Sequence, residues 1–163
     1  MAEREIDPQT RIGHVHLKVA DLDRSLAFYC DILGFELTTR LGPQAAFVSA
    51  GGYHHHIGLN TWETLGAAPS PRASTGLFHF AILYPDRVGL ADAVDRLGRA
   101  DWPLTGASDH GASEAVYTND PDGIGVELYR DRPQAEWPVN EDGSVRMFSD
   151  PLDLENLLAE LKN

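Results

Sequence analysis

From Arg11 the chain alternates: Val15, Leu17 and Val19 fall on one side, His14, His16 and Lys18 on the other. A period of two residues marks a half-buried strand. The period then lengthens. Leu22, Leu26, Tyr29 and Leu33 recur at helical spacing behind Asp21 or Asp23 as caps, with Gly34 at the end. Three short strands are predicted near 35–40, 45–50 and 53–60, punctuated by Gly42-Pro43 and Gly51-Gly52. A strand near 76–83, a helix near 86–99 and strands near 103–106, 112–118 and 124–130 repeat that order. Self-similarity of this kind predicts an α+β fold of two βαβββ modules, forming a curled mixed sheet around a shared cup.

The modules are expected at 11–62 and 75–131, joined by an Ala-, Pro-, Ser- and Thr-rich linker at 63–74. Residues 1–10 are polar and aperiodic, and read as a mobile tail or a strap over a partner. The extension 132–163 carries an amphipathic stretch at 151–162, expected as a C-terminal helix started by Pro151 and packed on the domain or a second subunit.

Strand parity supplies the candidate chemistry. Ile124, Val126 and Leu128 are apolar, which puts Glu127 and Tyr129 on the opposite face. Phe78, Phe80 and Ile82 likewise leave His79 and Ala81 opposite. Between 53 and 60, His54 and His56 share one face, while His55 points to the core. Overlaying the repeats matches His14 with His79 and His56 with Glu127. Two imidazoles and a carboxylate with open positions suit Fe(II), Mn(II), Zn(II) or Ni(II). His110, beside Asp109, is a candidate for moving protons, as are His54 and Tyr129; His16 and the Phe28-Tyr29 pair read as structural. Asp120-Pro-Asp-Gly123 is read as a turn without a catalytic role.

Composition narrows the partners. A formal charge of −12 disfavours nucleic acid and anionic membrane. Cys30 is the lone cysteine, so no internal disulfide forms, and no apolar run predicts a signal peptide or a bilayer span. A cytoplasmic protein is expected.

Two segments carry a resemblance: Arg11-Ile-Gly-His-Val-His-Leu-Lys-Val-Ala-Asp-Leu-Asp-Arg-Ser-Leu-Ala-Phe-Tyr-Cys-Asp-Ile-Leu-Gly-Phe35 and Asp120-Pro-Asp-Gly-Ile-Gly-Val-Glu-Leu-Tyr129. They are similar to the vicinal oxygen chelate superfamily, which includes glyoxalase I, extradiol dioxygenases and bleomycin-binding proteins. The resemblance implies His14, His79 and Glu127 as metal ligands, with His56 where glyoxalase I places a fourth. Gly51-Gly-Tyr-His-His-His-Ile-Gly-Leu-Asn-Thr-Trp62 and Asp131-Arg-Pro-Gln-Ala-Glu-Trp137 resemble the N-terminal half of longer bacterial proteins assigned as catechol 2,3-dioxygenases. That likeness implies an Fe(II)-dependent extradiol enzyme acting on a small molecule with two adjacent oxygens. A glyoxalase-like lyase or isomerase and a non-enzymatic binding protein are the alternatives, and a homodimer is expected.

Overall fold

The computed structural model describes residues 5–71 and 73–162. The first module runs β1 (Val15–Lys18), α1 (Leu22–Leu26), β2 (Glu36–Leu41), β3 (Ala45–Ser49) and β4 (Ile57–Asn60). Asp21 caps α1 by accepting the Arg24 amide at 3.0 Å, and the helix widens into a π-type turn over Ala27–Ile32. The strands order as β1-β4-β3-β2, with β1 and β4 parallel and the other pairs antiparallel. The second module repeats this with β5 (His79–Tyr84), α2 (Arg87–Arg99), β6 (Leu104–Asp109), β7 (Ser113–Asn119) and β8 (Gly125–Asp131). Its order is β5-β8-β7-β6, extended at the β6 edge by β9 (Asp150–Pro151). The chain thus folds as the expected α+β pair of βαβββ modules. Among the described residues no strand pairing joins the two sheets.

The helices join them instead. One core cluster takes Leu17, Val19, Leu26, Phe28 and Tyr29 from the first module and Phe80, Leu90, Leu97, Val126 and Leu128 from the second. Burial of each such side chain stabilises the fold by about 1.5–3 kcal/mol. Phe28 packs on Trp102 with ring centroids 4.9 Å apart, and Tyr29 on Phe80 at 6.4 Å. The Asp120–Gly123 turn adds polar ties between the modules. Tyr29 Oη donates to Asp120 Oδ2 at 3.0 Å, and Asp122 Oδ1 accepts from Arg24 Nη2 at 2.5 Å and the Ala20 amide at 3.2 Å. Asp120 Oδ1 meanwhile accepts the Asp122 and Ile124 amides at 2.9 and 2.8 Å. Burial, followed by the nearby Asp120 carboxylate, drives the Tyr29 phenol far above its ordinary pKa. The turn is therefore a staple between halves.

A second polar node anchors the C-terminus. Glu114, 5% exposed, accepts from Arg87 Nε at 3.0 Å and Arg130 Nε at 2.9 Å through Oε2, and from Arg132 Nη2 at 3.2 Å through Oε1. Arg87 also reaches Asn156 Oδ1 at 2.7 Å and pairs with Glu160, holding α3 (Leu154–Ala159) against α2. Three guanidinium donors supply the compensation that burying a carboxylate requires.

Several expectations are corrected. The strand foreseen at 53–60 starts only at Ile57, because Gly51 and Gly52 (φ +62° and +76°) prolong the turn. The alternation assumed for Tyr53–His56 therefore fails, and His55 stands half-buried beside other imidazoles rather than in the core. The strand foreseen from 76 starts at His79, leaving Phe78 89% exposed. Pro151 lies in β9, opposite Ser108, and does not start the last helix; Asp153 caps α3 by accepting the Asn156 amide at 2.9 Å. That helix packs on the chain's own α2 through fully buried Leu157. The 1–10 tail lies partly outside the described residues, and its described part is exposed.

Candidate active site

The second sheet gathers several of the candidate side chains. Strand β5 runs parallel to β8, setting His79 beside Gly125 and Ala81 beside Glu127. Gly125 permits this close approach, since a Cβ there would stand 2.9 Å from the His79 Cβ. Val126 and Leu128 are fully buried beneath, which fixes Glu127 on the other face. His79 Nε2 and Glu127 Oε2 meet at 2.9 Å.

Behind Glu127 runs a chain of hydrogen bonds. Tyr117 on β7 lies opposite Glu127 in register, and its hydroxyl donates to Oε1 at 3.0 Å. That hydroxyl also lies 2.7 Å from His110 Nε2, and His110 Nδ1 lies 2.7 Å from the Phe148 carbonyl oxygen. Burial, then the neighbouring Glu127 charge and the hydrogen bond to it, push the Tyr117 phenol up to about 12. It is a protonated donor across the physiological range. Tyr129, also on β8, is raised by burial and by the charges of Asp131 and Glu127.

The His79–Glu127 pair fits a divalent metal as far as two donors can. Ligand bonds of about 2.0–2.2 Å at right angles place neighbouring donor atoms about 3 Å apart, close to the observed separation. Two donors do not complete a site. Among the described residues no three His, Cys, Asp or Glu side chains are gathered to hold a metal ion.

The first sheet holds a different assembly. The rings of His14 and His55 lie 4.5 Å apart, and His54 Nδ1 lies 2.8 Å from His55 Nδ1. One of those nitrogens must donate and the other accept, so the two rings take opposite tautomers. Burial first, then the surrounding imidazoles, hold His55 below its ordinary pKa. His56 Nδ1 accepts the Ala50 amide at 3.3 Å, with the Ser49 hydroxyl at 3.1 Å. An amide can only donate, so in the neutral ring the proton sits on Nε2. In this arrangement His56 Nε2 stands as a hydrogen-bond donor. His16 packs on Phe47 and Trp62 at 5.8 and 5.6 Å.

Residues 11–128 match the sequence profile of the Glyoxalase/Bleomycin resistance protein/Dioxygenase superfamily. The chain belongs to that superfamily. A relative in it is the catechol-2,3-dioxygenase of Bacillus subtilis, 40% identical over 95% of this chain; the chain spans only 53% of that relative's length. A probable lactoylglutathione lyase of Synechocystis is 29% identical over 71% of this chain, an alignment that takes in 91% of the lyase. The crystal structure of a glyoxalase/dioxygenase from Nostoc punctiforme, 21% identical, superposes with a TM-score of 0.63 over 82% of this chain and all of that one. The last comparison shows the superfamily fold.

Within that fold, the structure brings together His79, Glu127 and His110, and leaves His14, His54 and His56 in the first module's imidazole group. Tyr117 was not among the residues expected from sequence. Its signal was there: 112–118 and 124–130 flank a turn at Asp120–Gly123, and antiparallel pairing across it sets Tyr117 against Glu127.

Proposed function

We propose that this protein is a divalent-metal-dependent enzyme, an extradiol-type dioxygenase acting on a catechol-like molecule. The observation that carries this reading is the unbroken chain from His79 and Glu127 through Tyr117 to His110. The Bacillus relative supports the substrate class. His79 and Glu127 supply two ligands, and His14 from the first module of a second copy supplies the third. Support for a homodimer comes from the exposed apolar residues Leu37, Leu41, Tyr53 and Trp62 on the first module and Phe78 and Leu83 on the second. When bound, an Fe(II) ion with open adjacent positions would hold both catechol oxygens and O₂ side by side.

The chain's own residues then handle protons. Three consecutive hydrogen bonds, from Phe148 O to Glu127 Oε1, need three protons. Neutral His110 and Tyr117 bring two. One further proton completes the chain and makes it a proton store next to Glu127. A catechol surrendering a hydroxyl proton fills it, and the ring-opened product takes the proton back. Tyr117 provides the near end, because its phenol remains protonated while it donates. From the first module of that second copy His56 donates from Nε2 to a substrate oxygen beside His54, while Tyr129 lines the approach.

The Synechocystis lyase, 91% of which aligns to this chain, favours a second reading, a metal-dependent lyase or isomerase that uses the same relay without O₂. The test is turnover of Fe(II)-loaded protein with catechols. O₂-dependent ring-opened product, lost with a chelator and restored by Fe(II), is expected. Anaerobic turnover of a hemithioacetal with Ni(II) or Zn(II), and no oxygen uptake with any catechol, would establish the lyase instead.

A further inference from the structure

The chain does not end with its second module. Past β8 it turns back over the end of the sheet, beyond the residues that match the superfamily profile. The Trp137 indole N–H donates to the Arg132 carbonyl at 2.7 Å, starting the return. A small hairpin follows, bridged between Val139 and Val145, and the Arg146 amide donates to the Pro138 carbonyl at 2.8 Å. Strand β9 then pairs with β6, Asp150 against Asp109 and Pro151 against Ser108, while the Ser149 and Ser108 hydroxyls lie 3.1 Å apart.

This return closes on the loop carrying His110. Gly111 has φ +80°, and a Cβ there would fall 2.6 Å from the Phe148 ring and 2.7 Å from the Pro138 ring. Only glycine lets the two rings seat so closely. From the opposite side Arg132 grips Asp109 through two hydrogen bonds at 2.6 and 2.7 Å and donates to the Gly111 carbonyl at 2.8 Å. The Arg132 guanidinium holds Asp109 below its ordinary pKa, so the grip stays ionic. Between these two clamps the His110 ring meets the returning segment at the Phe148 carbonyl, 2.7 Å from Nδ1. A carbonyl oxygen only accepts, so Nδ1 carries a hydrogen and Nε2 is the nitrogen offered to Tyr117.

We propose that residues 133–151 are a positioning strap, in which the Phe148 carbonyl fixes the ring orientation and Nδ1–H form of His110 so that Nε2 serves the Tyr117–Glu127 chain. The strap touches no substrate and acts only through His110. This deepens the reading of His110 and Tyr117 as the proton-handling pair and rests on it. A ring released from the strap populates the other tautomer, which puts a hydrogen on Nε2 and leaves Nδ1 bare. That form cannot take the Tyr117 proton.

The test uses the full chain. Ring-nitrogen NMR of ¹⁵N-histidine protein, with His110 assigned by its loss in His110→Gln, reads the tautomer in wild type without any substrate. A protonated Nδ1, slow to exchange with water, is expected. The Phe148→Ala, Pro138→Ala double variant removes the rings that seat the strap. Its His110 Nδ1 hydrogen should exchange freely and the neutral tautomers mix, with kcat for catechol cleavage down roughly ten- to a hundredfold at little change in KM. A bare Nδ1 in wild type overturns the proposal. So does a double variant that loses thermal stability while His110 and kcat stay as in wild type. Should no catechol be cleaved by any form, the dioxygenase reading fails. The NMR comparison then decides the strap alone: a wild-type Nδ1–H that loosens in the variant upholds it, and an unchanged signal rejects it.

Discussion

The two modules share one topology and differ in what their open faces carry. In the first, His14, His54 and His55 lie ring against ring, with Tyr53 stacked on His54 at 4.1 Å. In the second, one imidazole meets one carboxylate, and a tyrosine and another histidine stand behind it. Imidazoles alone satisfy each other only by choosing opposite tautomers, whereas a carboxylate backed by a phenol has a defined direction for proton flow. A fold duplicated in backbone has therefore divided its chemistry: the directed chain belongs to the second half, and the first presents a histidine-rich surface.

That division can be broken most severely at Glu127. Glu127→Gln keeps the side-chain size and removes the charge, and should abolish turnover and weaken metal retention at least ~100-fold, read by elemental analysis of purified protein. Unchanged metal content would move the centre away from the second module. Tyr117→Phe should keep metal retention and lower kcat by roughly 100-fold with KM within about threefold. A kcat equal to wild type would make Tyr117 a mere buttress.

Asp120→Ala separates the halves without touching either face. It leaves the buried Tyr29 hydroxyl and the Asp122 and Ile124 amides without their acceptor, at a cost of roughly 2–4 kcal/mol in urea unfolding. The smallest expected effect is alkaline. Tyr84 and Tyr117 are each raised from 10.0 to about 12, mainly by burial. Below about pH 10 both phenols are protonated in the folded and unfolded chains alike. Above it the unfolded chain releases its protons first, so stability falls progressively until the folded phenols titrate too. Thermal melts between about pH 9 and 12 should show this slope, to which buried Tyr29 adds, and Tyr84→Phe should make it shallower.

The element order, both helices of the modules and all eight of their strands were legible, two of them with starts set too early, because Gly-Pro, Gly-Gly and Asp-Gly turns punctuate clean changes of period. Parity correctly put Glu127 and His79 on open faces. It failed at Tyr53–His56, where a left-handed glycine pair delays the strand and stacking of Tyr53 on His54 and His56 overrides alternation. Phe78 misled for a related reason: an apolar residue just ahead of a strand has no neighbour to cover it. The strap was invisible because its link to His110 is a backbone carbonyl and its hold on β6 is edge pairing, neither of which leaves a signature in residue type. The meeting of His14 with His79 and Glu127, expected inside one chain, does not occur among the described residues.

The Asp120–Gly123 staple has a consequence for how such a protein changes over generations. Its partners on Ala20, Arg24 and Tyr29 lie some hundred positions earlier, so the two copies are bonded into one cooperative unit. Exchange of either copy for a cousin from another gene would sever matched carboxylate, guanidinium and phenol together. Descent can repaint the open faces residue by residue, but the duplicated halves must be inherited as a couple.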